Sequence, residues 1–193
     1  MNNELTAPIP AAFPAWLRIP GIVLGGSALA AVCAHVTLPL WFTPVPLSLQ
    51  PFAVLLLGLL LGPRLAAATL GAYLAEGAMG LPVFAPTAAA AAGFAHLAGP
   101  TGGYLLAYPF AAALISSLWR SSGRGFAAAL LSAAAGDLAI LAGGGLWLAF
   151  LTHQSLPSAF SLAVLPFLPG DALKATVAAG AAAGFVRLRR QAP

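Results

Sequence analysis

The chain alternates between continuous apolar runs and short segments rich in proline, glycine and isolated polar residues. Apolar runs occupy Gly21–Leu38, Phe52–Leu61, Leu65–Leu74, Tyr104–Trp119 and Phe126–Leu151, and a sixth follows Pro169-Gly170 through Val186. Runs of this kind read as membrane-spanning helices. The segments between them read differently. In Trp41–Pro51 the prolines exclude a continuous helix, and the aromatic, hydroxyl and amide groups suit a loop at the membrane interface. Gly80–Pro86 is a second proline-punctuated loop, and the alanine-rich Thr87–Leu97 predicts a short helix over the membrane surface. Gly99–Tyr104 predicts a glycine turn, and Thr152–Phe167 a looser polar segment. The pattern predicts an all-α integral membrane protein, a bundle of six transmembrane helices.

Composition agrees. The chain is 61% hydrophobic and only 6% charged, against roughly 25% charged in soluble domains. Its 193 residues leave room for about six helices of ~20 residues and no soluble module. A single membrane domain, 1–193, is expected, with tails at 1–18 and 187–193. Met1–Pro20 lacks the basic, apolar and small-residue order of a signal peptide, so the first helix is expected to persist in the mature protein. Cys33 stands alone, which gives neither a disulfide framework nor a metal site.

Charge adds topology. The eight basic residues form no patch of the kind that binds nucleic acid. With the N-terminus in the cytoplasm and six passes, Arg18, Arg64, Arg120, Arg124, Arg187, Arg189 and Arg190 all fall on the cytoplasmic side, as the positive-inside rule requires. The C-terminus is then cytoplasmic too. The 41–51 loop, the 77–103 segment and the pair Asp171/Lys174 fall on the external half.

Asp171 and Lys174 open the sixth run three residues apart, so their side chains share one helical face. An acid and a base beside hydrocarbon must pair with each other or meet a polar ligand. They form either an ion pair that only fixes the helix end or a polar socket for a small molecule. Asp137, inside the fifth run, is as compatible with a structural role as with a ligand role. Glu76 closes the third run where water can reach it, and a solvated role is expected. Gly26, Ala30 and Ala34 form a small-residue stripe on the first helix, which lets another helix approach closely, within the monomer or from a partner. No constellation for catalysis is present: the histidines are dispersed and Ser116-Ser117 lack an obvious base. Gly99–Tyr104 is followed by no lysine and preceded by no strand, which disfavours a nucleotide loop.

Several motifs occur together and in order: Thr43-Pro44-Val45-Pro46 with Gln50, Leu57-Gly58 to Leu61-Gly62-Pro63-Arg64, Gly80-Leu81-Pro82-Val83-Phe84-Ala85, Gly99-Pro100-Thr101-Gly102-Gly103-Tyr104, and Pro169-Gly170-Asp171 with Lys174. Over roughly residues 20–188 the chain resembles the BioY family, the biotin-specific substrate-capture (S) components of energy-coupling-factor (ECF) transporters. It departs at Pro86-Thr87 and the alanine run, where many relatives are glycine-rich. The resemblance implies a six-helix protein of the bacterial-type cytoplasmic membrane that binds biotin near its external face. It also implies passage inward with a coupling transmembrane subunit and two ATPase subunits, with Gly26, Ala30 and Ala34 as the docking stripe. Biotin is then a substrate and no cofactor is needed.

Biotin's chemistry suits the candidates. Asp171 can accept from the ureido N–H groups in charge-assisted hydrogen bonds, and Lys174 can donate to the ureido carbonyl or the carboxylate. Asp137 and Gln50 are further polar contacts, and Phe84, Tyr104 and Trp147 can wall the ring system. The alternatives are an assembly protein in which Asp171 and Lys174 serve only stability, and an S component for another small vitamin.

Overall fold

The structure, a computed structural model, describes residues 14–86 and 93–191. Helix α1 (Ala15–His35) leads into a small antiparallel hairpin of β1 (Thr37–Leu38) and β2 (Leu47–Ser48), paired Thr37 to Ser48 and Leu38 to Leu47. Helices α2 (Gln50–Leu60) and α3 (Pro63–Ala78) follow, then a single turn α4 (Phe94–Leu97), and then α5 (Gly102–Ser121), α6 (Phe126–Thr152), α7 (Leu156–Ala163) and α8 (Leu168–Gln191).

Local chemistry sets the boundaries. Pro39, Pro44 and Pro46 keep the hairpin tip out of both helix and ladder, so only two residues on each side pair. Pro51 lies in the first turn of α2 and Pro63 in that of α3, where a missing N–H costs nothing. Gly62, ahead of Pro63, is extended, as a residue before proline prefers. His153 ends α6 in the left-handed conformation.

Among the described residues, α1, α5 and α6 are long and apolar enough to cross a membrane, and α7 with α8, bent by 54°, make a fourth span if counted together. Two of the six runs read from the sequence are shorter: α2 has 11 residues and α3 has 16. At 1.5 Å per residue the shorter rises about 16 Å, half the hydrocarbon thickness. Leu24, Val32, Phe110, Leu131, Phe150 and Val177 point outward, an apolar exterior that suits lipid.

Several expected boundaries move. The first helix takes in Arg18 and stops at His35, because Val36 and the following residues turn into the hairpin, where Leu49 N–H bonds the Val36 carbonyl at 2.9 Å. Within 152–167 the polar stretch contains α7. Of the predicted 87–97 helix only Phe94–Leu97 is helical, and 87–92 lie outside the described residues, as do 1–13 of the N-terminal tail and 192–193 of the C-terminal one.

The stripe on α1 also moves. Ala30 and Ala34 are fully buried, and a Cβ on Gly26 would come within 2.5 Å of Thr69 Cγ2 on α3. Gly26, Ala30 and Ala34 are therefore packed inside the monomer in this structure. Spacing of four shows that a helix comes close without showing which helix. Glu76 is not merely solvated, since it accepts a hydrogen bond from Ser27 on α1.

The buried interior forms two clusters. One surrounds the hairpin end and includes Val45, Tyr73, Tyr104, Tyr108 and Phe167. The other joins Leu55, Leu59, Ile115 and Trp119 to an alanine seam on α8, Ala175, Ala178, Ala179 and Ala182.

Candidate ligand-binding site

The hairpin, Ala85, the 96–101 segment and the start of α8 meet at one end of the bundle. The turns carrying Arg64, Arg120 and Arg124 and the last turns of α8 lie at the other. A cavity of ≈ 40 Å³ opens at the hairpin end, walled by Pro46 and Ser48 of the hairpin, Gln50 of α2, Tyr104 and Tyr108 of α5, and Asp171 with Lys174 of α8, among others. The space is narrow, holding only a few waters, and a larger ligand needs a wall to move.

The charged pair is formed as spacing predicts. Lys174 Nζ donates to Asp171 Oδ1 at 2.7 Å, with the side chains 10% and 3% exposed. Asp171 sits in the first turn of α8, where the helix dipole favours an anion. Each charge satisfies the other, and both line the cavity, so a ligand that replaces one partner gains a charge-assisted bond.

Gln50 is also aimed. Its Nε2 donates to Tyr73 Oη at 2.8 Å, and Tyr73 Oη donates to the Val83 carbonyl at 2.9 Å. This relay uses one amide N–H of Gln50, a residue that also lines the cavity. Tyr104 presents its ring to the cavity while its hydroxyl donates to the Ala163 carbonyl. The ring fits because α6 has Gly144 there, where a Cβ would lie 2.2 Å from the ring carbons.

Three expected residues lie elsewhere. Phe84 stands behind His96, tilted against its ring at 4.9 Å and edge-on to Tyr73 at 5.4 Å. Trp147 donates from Nε1 to the Gly99 carbonyl at 2.9 Å and braces the 99–103 turn. Asp137 is buried on α6 with Oδ1 unpartnered, one turn toward the arginine end from Ile140 and Leu141, which do line the cavity. Asp137 is still within electrostatic reach of Asp171 and Lys174.

Other lining residues carried no expected role: His96, Thr101, Tyr108, Ser48 and Phe167. His96 Nε2 and Thr101 Oγ1 are 3.4 Å apart, adding a polar patch to the wall. Tyr108 follows Tyr104 by four residues and Phe167 precedes Asp171 by four, so helical spacing from a chosen residue would have found both.

These features define a multi-pass membrane protein with a small-molecule pocket built from side chains of several helices. The model of the BioY family matches residues 14–191, and the chain belongs to that family. It is 41% identical over 151 residues to a "Probable biotin transporter BioY" of Pyrococcus horikoshii, covering 78% of this chain and 85% of that one. It is 39% identical over 153 residues to a "Biotin transporter BioY" of Thermotoga maritima, covering 79% and 86%. Its fold matches a crystal structure of "the S-component for biotin from an ECF-type ABC transporter" with a TM-score of 0.80 and 27% identity, over 94% of this chain and 96% of that chain.

Proposed function

We propose that this chain captures biotin in the cavity at the hairpin end and delivers it inward as the substrate-specific subunit of an ECF-type transporter. The observation that carries the reading is the buried Asp171–Lys174 pair on the cavity wall, facing Gln50 and the rings of Tyr104 and Tyr108. In this reading Asp171 accepts from the ureido N–H groups, Lys174 donates to the ureido carbonyl or the carboxylate, and Gln50 adds a polar contact. Phe84, Trp147 and Asp137 support the wall from behind. A mostly apolar pocket with a few placed polar groups is the usual way to hold a small ligand. The hairpin swings aside to admit it.

Six passes with both termini cytoplasmic account for the arginines at one end and place the cavity toward the outside. The relatives' names and the solved S-component support a coupling transmembrane subunit and ATPase subunits as partners in a bacterial-type cytoplasmic membrane.

Removing one member of a buried ion pair strands the other charge, so single alanine variants mix misfolding with lost binding. Asp171→Asn/Lys174→Met removes both charges and keeps the volume. Isothermal titration of the detergent-purified protein with biotin, beside size-exclusion profiles, tests the reading. Tight binding by the parent and none by a well-folded double variant is the expected result. Equal binding by both would overturn the assigned site, and a folded parent that ignores biotin would overturn the substrate.

A further inference from the structure

At the opposite end of the bundle a second opening of ≈ 430 Å³ runs between the α5–α6 turn and the last turns of α8. Arg124 reaches it from the turn and Arg187 from α8, while Phe126 and Val186 supply apolar wall. Gly180 and Gly184 have no atoms near where a Cβ would stand, so the α8 wall of the groove is bare backbone at these two positions. Among the described residues no aspartate or glutamate lines it. Arg189 lies instead over the Phe185 ring at 4.4 Å, and Arg187 lines the groove.

We propose that this groove is a binding site for an anionic phospholipid, its phosphate held between Arg124 and Arg187 and its first acyl carbons against Phe126 and Val186. Guanidinium groups match phosphate oxygens in fork geometry. Basic pockets between helices at the membrane boundary are suited to anionic headgroups. The position favours lipid over a soluble anion, because the groove lies at the ends of α6 and α8, between helices whose outward faces are apolar. The proposal is independent of the biotin reading.

Native mass spectrometry of the detergent-purified chain, equilibrated with equal phosphatidylglycerol and phosphatidylcholine, tests it. The expected result is retention of phosphatidylglycerol with a preference of about thirty-fold, in line with the attraction of anionic lipid for two arginines. Arg187 is exposed, so Arg187→Gln should fold normally and reduce the preference. Arg124→Gln/Arg187→Gln should bring it to parity at an unchanged size-exclusion profile. Equal retention of both lipids by the parent overturns the proposal, as does an intact preference in the double variant. Displacement of the lipid by millimolar inorganic phosphate also overturns it, since the groove would then be a soluble-anion site.

Discussion

At the hairpin end, Gly144 has the Tyr104 ring where a Cβ would go, and Asp171 is buried against Lys174. At the arginine end, Gly184 faces open space and Arg187 is exposed. Glycine and charge thus do opposite work at the two ends, with Asp171 and Arg187 about four turns apart along α8. Glycine at one end admits a ring, and at the other it leaves a surface bare. Charge at one end is desolvated and must be neutralised on the spot, whereas at the other it sits where water and headgroups neutralise it. A ligand site of high specificity needs the first environment, and a lipid contact tolerates the second.

The largest expected effect comes from breaking the desolvated pair. Asp171→Ala should lower stability by about 3–5 kcal/mol, because it leaves the Lys174 ammonium uncompensated. Thermal unfolding in detergent reads this, and a cost no greater than that of Arg187→Gln would erase the contrast between the ends. Overpacking comes next. Gly144→Ala places a methyl group against the Tyr104 ring and should cost about 1–3 kcal/mol, with loss of biotin binding as the ring shifts, measured by the same melt and by titration.

A smaller effect is expected from Tyr104→Phe. It keeps the ring and deletes the hydrogen bond to Ala163, which should cost about 1 kcal/mol and leave biotin affinity nearly unchanged. A large loss of affinity would mean that the hydroxyl meets the ligand. The smallest change should have the opposite sign. Gly184→Ala meets no neighbour and should stabilise α8 by about 0.5–1 kcal/mol through helix propensity. Destabilisation there would show that the bare face is packed against something in the purified protein.

Much of this was legible in the chain. The apolar runs located α1, α5, α6 and α8, the prolines located the breaks around α2 and α3, and the arginines marked one end. The Asp171–Lys174 pair followed from spacing alone, because residues three apart on a helix must share a face whatever surrounds them. Gln50 and Tyr104 were picked on chemistry, and both line the cavity. Phe84 and Trp147 were picked on the same chemistry and stand behind the wall.

The difference between these outcomes has a physical origin. Local sequence determines helix formation, helix ends and which residues of one helix stand together, since these depend on neighbours within a turn or two. It does not determine which face turns inward when the helix is apolar nearly all round, as α6 is, for there is no polar side to point at the solvent. Only packing decided that Gly26 meets Thr69 of α3 and that Ala30 and Ala34 are buried, that Asp137 stops one turn short of the cavity, and that His96 and Tyr108 reach it. In lipid, close fit between helices chooses the inward face, and fit is a property of pairs of surfaces that no single run contains.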